Sequence, residues 1–308
     1  MDKIERFKGS ILGLALGDSA GAPFEGSCHA LRDDFEKYLP GVLRYTDDTE
    51  MAIGVAESLA ASGGLKPDDM AARFAGNYNP FRGYGPATAA ILNMIQSGVR
   101  WSEANTRVFR EGSFGNGAAM RAAPLGLFYH DDRESLREAV EVASSITHSH
   151  PLGKEGAVIL AYAVSIIIES NGEFKKNRFL DRIIEFTVSN EYAEKLDSVK
   201  DLLTRDSFED VIKMLGNSVL ALESVPTSVY AFLKYGEDFK KTIGFCISLG
   251  GDTDTIGAMA GALSGCLIGA LSLPEEWLLR LEDTEKGRRY ISRISERLYE
   301  VYKSLKEG

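Results

Sequence analysis

An all-α fold follows from three features of the sequence. Apolar residues recur at three- and four-residue spacing, strand-type alternation is nowhere sustained, and neither Asn116-Gly117 nor Asn171-Gly172 lies between the alternating apolar runs that a hairpin needs. No Pro-, Ser- or charge-rich linker divides the chain, so residues 1–308 are expected to form a single compact domain.

The first element carries Gly9, Gly13, Gly17 and Gly21, one every four residues, and Gly257, Gly261, Gly265 and Gly269 repeat that spacing near the other end. Each set predicts a bare ridge along a helix. Glycine inside a helix costs ~1 kcal/mol relative to alanine, so such ridges imply another backbone packed unusually close, and both helices are expected to be central.

Next, Tyr45-Thr46-Asp47-Asp48-Thr49-Glu50 opens a helical pattern through Met51, Val55 and Leu59. Asp47 with Glu50 three residues on resembles a capping box, a role compatible with metal binding. Gly112-Ser113-Phe114-Gly115-Asn116-Gly117 runs into the helix-forming Ala118-Ala119-Met120-Arg121-Ala122. This segment is either an irregular turn or an anion cradle, with N–H groups for phosphate oxygens and the Phe114 ring for stacking.

Leu136, Val140, Ala143 and Ile146 form a further stripe, followed by Thr147-His148-Ser149-His150-Pro151, where a histidine is expected to cap a helix or meet a ligand. The apolar run Ala157 to Ile168 is too long for a typical strand and predicts a helix buried on most sides, ended by Asn171-Gly172. Val211, Leu215, Val219 and Leu222 make another stripe, and Ile291, Ile294, Leu298, Val301 and Leu305 the last.

Between them, Gly250-Gly251-Asp252-Thr253-Asp254-Thr255 opens the second glycine-ridged helix. One carboxylate suffices to cap a helix; two of them ahead of a long uncharged segment call for a cation. Arg44 is the only basic residue in or beside the two aspartate segments, so the expected neutraliser is a hard divalent ion on carboxylate and hydroxyl oxygens: magnesium, manganese or calcium. Four aspartates in two clusters suit a two-metal centre, although sequence alone does not bring the clusters together.

Composition narrows the function. A formal charge of -10 argues against general nucleic-acid or anionic-membrane binding. Cys28, Cys246 and Cys266 have no CxxC spacing, which excludes a disulfide framework or zinc knuckle and fits a reducing, cytoplasmic setting. Four histidines without HExxH argue against the usual zinc hydrolase chemistry. Ile11 to Gly17 is too short for an export signal, and the Gly- and Ala-rich Ile256 to Leu273 reads as a core helix rather than a membrane span.

Taken together, Gly13-Leu14-Ala15-Leu16-Gly17-Asp18 with Glu25, Tyr45-Thr46-Asp47-Asp48-Thr49, Gly115-Asn116-Gly117-Ala118-Ala119-Met120-Arg121, Ile146-Thr147-His148-Ser149 and Gly250-Gly251-Asp252-Thr253-Asp254-Thr255 resemble the ADP-ribosylglycohydrolase family. The resemblance implies an all-α fold of a dozen or more helices with two Mg2+ or Mn2+ ions at the mouth of a cleft. It further implies Thr46, Asp47, Asp48, Asp252, Asp254 and Thr255 as metal ligands, with Glu25, Asp47 and Asp254 serving catalysis. Gly112, Ser113, Phe114, Gly115 and Asn116 would hold the diphosphate and adenosine, and His148 the phosphoribose region.

Arginine-specific members look to carry an aspartate in the loop that here reads Asn79-Pro80-Phe81-Arg82-Gly83-Tyr84-Gly85-Pro86-Ala87. This chain has none there. Arg82-Gly83-Tyr84-Gly85, with Gly83 and Tyr84 as substrate contacts, resembles the branch releasing ADP-ribose from serine, poly(ADP-ribose) or O-acetyl-ADP-ribose. The expected partner is an ADP-ribosylated protein or ADP-ribose conjugate, and the expected state a monomer.

Overall fold

The computed structural model describes residues 1–28, 30, 34–170, 174–205 and 207–307. The expected stop at Asn171-Gly172 lies outside them. Among the described residues sixteen α-helices and no strand are found: α1 (Lys3–Gly21), α2 (Asp47–Ser62), α3 (Pro67–Asn77), α4 (Pro86–Gln96), α5 (Trp101–Val108), α6 (Ala123–Phe128), α7 (Arg133–Ser144), α8 (Pro151–Glu169), α9 (Lys176–Phe186), α10 (Asn190–Leu202), α11 (Phe208–Met214), α12 (Ala221–Tyr235), α13 (Phe239–Leu249), α14 (Thr253–Ile268), α15 (Glu275–Arg280) and α16 (Arg288–Glu307). The only extended pairings among them are the isolated bridges Leu43 to Leu281 and Gly115 to Leu220.

The two glycine-ridged helices form the centre of the molecule. They run antiparallel, so a Cβ added at Gly9, Gly13 or Gly17 would strike the carbonyl oxygens of Gly265, Gly261 and Gly257 in turn. That backbone contact is the compensation the sequence called for, and it sets the carboxyl end of α1 beside the amino end of α14. Gly269 departs from the expected ridge: with φ +80° it lies past the end of α14 and terminates the helix instead.

The Ala157 to Ile168 run forms α8, long and apolar enough by composition to cross a membrane, yet 83% of its apolar window is buried inside the bundle. One expected stripe fails. α11 stops at Met214, Gly216 breaks the chain at φ +91°, and Val219 stands 57% exposed, so Val211 and Leu222 belong to different helices. Ile146 likewise lies beyond α7 but is fully buried in the turn that follows.

Candidate active site

The first aspartate segment is shaped by a residue from another helix. Thr46 is the N-cap of α2, its hydroxyl accepting from the Asp48 N–H at 3.4 Å. Asp18, buried near the end of α1, accepts from the Thr46 N–H at 3.0 Å, the Thr46 hydroxyl at 2.8 Å, the Thr49 N–H at 3.1 Å and the Thr49 hydroxyl at 2.5 Å. The expected Asp47–Glu50 capping box is therefore absent. The first-turn donors are shared, the Asp47 N–H going to the Arg82 carbonyl, that of Asp48 to the Thr46 hydroxyl and that of Thr49 to Asp18, while the buried Glu50 accepts from the Asn79 N–H at 2.9 Å and the Tyr84 hydroxyl at 2.8 Å.

The second segment forms a turn that only glycine permits. Gly251 has φ +70°, and a Cβ there would collide with the Asn217 carbonyl, which accepts from the Asp252 N–H at 2.9 Å. Gly251 also pairs with the Glu25 loop, donating to the Ser27 carbonyl at 3.0 Å and accepting from the Gly26 N–H at 2.8 Å. One carboxylate oxygen from each of Glu25, Asp252 and Asp254 thus falls within 4.8 Å of the others.

The two segments meet. The Thr255 hydroxyl lies 3.5 Å from Asp48 Oδ2, which also accepts from the Thr46 hydroxyl at 3.1 Å. Asp252 is the N-cap of α14 yet makes no side-chain cap bond, and Asp254 accepts from the neighbouring Thr255 N–H at 2.8 Å, within its own helix turn.

Burial and mutual repulsion dominate the electrostatics. Burial first, then the charge of a neighbouring aspartate, raises the carboxyls of Asp18 and Asp254 to about 7, and the same two causes hold Asp47 and Asp48 well above the usual range. Asp252 is raised chiefly by burial. Glu25, more open, is raised by Asp254 first and burial second. Among the described residues none of these acids pairs with a lysine or arginine, and Asp48 Oδ1 is buried without any partner. An orphaned carboxylate oxygen amid acidic and hydroxyl donors fits a hard divalent cation, with Thr46, Asp47, Asp48, Asp252, Asp254 and Thr255 as available ligands.

The loop at 79–86 borders the Asp47 side. The Asp47 N–H donates to the Arg82 carbonyl at 2.8 Å, and a Cβ at Gly83 would stand 3.9 Å from Asp47 Oδ1. Arg82 leaves the aspartates alone: its guanidinium binds Glu282 through both terminal nitrogens, donates to the Tyr45 carbonyl at 2.6 Å, and stacks 3.8 Å over the Tyr45 ring. Glu282 is delivered by the bridge to Leu43.

The glycine-rich loop borders the Asp252 side, where the Asn116 amide donates to Asp252 and to the Ser224 hydroxyl. It does not open a long helix. Residues Asn116–Ala118 make one 3₁₀ turn, and two N–H groups expected to cradle an anion are already engaged, Gly115 with the Ser113 hydroxyl and Asn116 with the Val219 carbonyl. Phe114 is 51% exposed, edge-on to His150. Gly112 packs against the Ser149–His150 backbone, too close for any side chain.

One of the two histidines takes the expected cap. His150 caps α8, accepting from the Leu152 N–H at 3.2 Å. His148 is buried under the loop, 2.8 Å from the Thr147 hydroxyl, where a Cβ on Gly117 would come within 2.6 Å of its ring. Burial, then the nearby Arg121 charge, pushes the His148 imidazole down to about 3, so it stays neutral.

The ADP-ribosylglycohydrolase family profile matches residues 1–307. The chain belongs to that family. This ADP-ribosylglycohydrolase is 33% identical to the ADP-ribosylhydrolase ARH3 of Xenopus tropicalis, over 97% of the chain and 96% of the relative, and 31% identical to the Homo sapiens ARH3, over 92% and 91%. An uncharacterized protein of Archaeoglobus fulgidus is 30% identical over 97% of each chain. A solved structure titled ADP-ribosylglycohydrolase-related protein complex superposes with a TM-score of 0.75 at 25% identity, covering 97% of this chain and 99% of its own.

Sequence reasoning missed what three residues do in building the site of this glycohydrolase. Asp18 was visible only as the end of a motif, Glu50 looked like a cap, and Arg82 was read only as part of a branch motif. Each acts across more than twenty residues of chain, on Thr46, Asn79 and Glu282 respectively. Local spacing carries no signal for such contacts.

Proposed function

We propose that this ADP-ribosylglycohydrolase releases ADP-ribose from O-linked acceptors, serine, O-acetyl-ADP-ribose or poly(ADP-ribose), in preference to arginine. The supporting observation is the contact of the two aspartate turns through Thr255 and Asp48, beside a loop at 79–87 that has no carboxylate to receive a guanidinium. The loop's one cation, Arg82, is held by Glu282.

Thr46, Asp47 and Asp48 on one side, and Asp252, Asp254 and Thr255 on the other, would hold two magnesium or manganese ions. Such ions supply positive charge to orient the ribose hydroxyls and Lewis acidity to ready a water for attack at the anomeric carbon. Glu25, exposed beside Asp252 and Asp254, would pass a proton to the leaving oxygen, which an alkoxide needs more than a guanidine does. Asn116 fixes the orientation of Asp252, and Asp18 that of the Thr46–Thr49 turn. Between monomeric conjugates and the polymer, the net charge of -10 favours the monomer, since the protein does not attract a polyanion from a distance.

Serine- and arginine-linked ADP-ribosyl peptides, each incubated with magnesium and with chelator, give the test, with the product identified by mass. Magnesium-dependent ADP-ribose from the serine peptide and none from the arginine peptide is expected. Cleavage of the arginine peptide at an equal rate defeats the linkage assignment, and unchanged turnover in chelator defeats the metal.

A further inference from the structure

The loop at 79–86 has two faces. Arg82 and Tyr84 turn inward, onto Glu282 and Glu50, while Pro80, Phe81, Gly83, Gly85 and Pro86 are exposed. Phe81 is 94% exposed, and among the described residues no ring or cation packs on it. A large apolar side chain left in water is ordinary on a loose surface segment. Here the backbone beneath it is tied from both sides: the Arg82 N–H donates to the Asn79 carbonyl at 3.0 Å, the Asn79 N–H is held by Glu50, and the Arg82 carbonyl holds the Asp47 N–H. A rigid mount thus presents a bare phenyl ring one residue from the backbone that touches the metal-ligand helix.

Its side of the site is defined by the other loop. The acid cluster lies between two aromatic-bearing loops, one bonded to Asp47 and carrying Phe81, the other bonded to Asp252 and carrying Phe114. The resemblance puts the diphosphate and adenosine at residues 112–116; a substrate held that way would have its scissile bond at the acids and its acceptor on the 79–86 side. The low rim of Gly83 and Gly85 leaves room there for an extended chain.

We propose that Phe81 is a specificity-determining contact for the acceptor: an apolar platform that packs on peptide residues flanking the modified side chain. This rests on the O-linked hydrolase reading above and adds the partner's chemistry, an extended peptide segment with apolar or aliphatic side-chain surface next to the linkage.

The experiment compares the wild type, Phe81→Ala and Phe81→Tyr on a serine-ADP-ribosylated peptide and on O-acetyl-ADP-ribose, which has no peptide. Phe81→Ala should raise KM for the peptide about ten-fold (roughly 1.4 kcal/mol) with kcat unchanged, leave both constants unchanged for the small conjugate, and be restored by Phe81→Tyr. Unchanged KM for the peptide, or an equal loss on both substrates, overturns the platform while leaving the hydrolase reading intact. A wild type that cuts neither substrate overturns that reading, and the platform with it.

Discussion

Asp48 shows what a single residue contributes in opposite directions to stability and activity. Its Oδ1 is buried without a partner beside Asp18, Asp254 and Asp47, all of which disfavour its charge. Asp48→Asn removes one member of a repelling cluster, so in chelator the variant should unfold about 1 kcal/mol later than the wild type. Added magnesium should stabilise the wild type and not the variant, whose turnover should fall at least about a hundred-fold. Denaturant titrations with and without magnesium check both; a variant weaker than the wild type in chelator contradicts the electrostatic account. His148 offers a pH signature. Its folded pKa of about 3 lies below the ordinary 6.5, so its contribution to stability is complete above pH 6.5 and is lost as pH falls toward 3. Relative to the wild type, His148→Gln should show a flatter fall in stability between pH 6.5 and 4.

At the scale of elements, the α1–α14 contact is the strongest link between sequence and fold. Four-residue glycine spacing on two distant segments announced helices that touch backbone to backbone, and the carbonyl oxygen facing each of these glycines within α1 and α14 shows why no other residue serves. Gly13→Ala and Gly261→Ala should each destabilise by about 3 kcal/mol, more than the helix propensity gained. Gly76, in α3 with nothing near its missing Cβ, is the control, and Gly76→Ala should stabilise by up to ~1 kcal/mol. Thermal unfolding of the three variants separates packing from propensity; equal shifts in all three would show the ridges to be incidental. The aspartate turns and Glu25, which the fold brings together, were likewise visible as short runs in the sequence. What could not be read was the joining of segments: Asp18 as the clamp on the Thr46–Thr49 turn, Glu282 as the anchor of Arg82, and the break between Val211 and Leu222. Tertiary contacts override local period in each case, and the engagement of the Gly115 and Asn116 N–H groups by Ser113 and Val219 was equally invisible in the sequence.

The whole molecule carries a charge of -10, while its substrate class is anionic through the diphosphate. Raising ionic strength from about 0.01 to 0.15 M shortens the Debye length from ~30 to ~8 Å, so subsaturating kcat/KM should rise a few-fold with sodium chloride at fixed magnesium. A fall instead would reveal a local basic track that outweighs the net charge. The antiparallel pairing of α1 with α14 has a further consequence, for synthesis. Thr255 and Asp48 are 207 residues apart, and Thr253 donates to the Gly21 carbonyl across 232 residues. A ribosome therefore emits the glycine row of α1 long before its partner exists, and the emerging polypeptide must hold that bare row in waiting through most of translation. Until α14 emerges, Asp252 and Asp254 are missing from the acid cluster, so hydrolysis that uses them waits on most of synthesis.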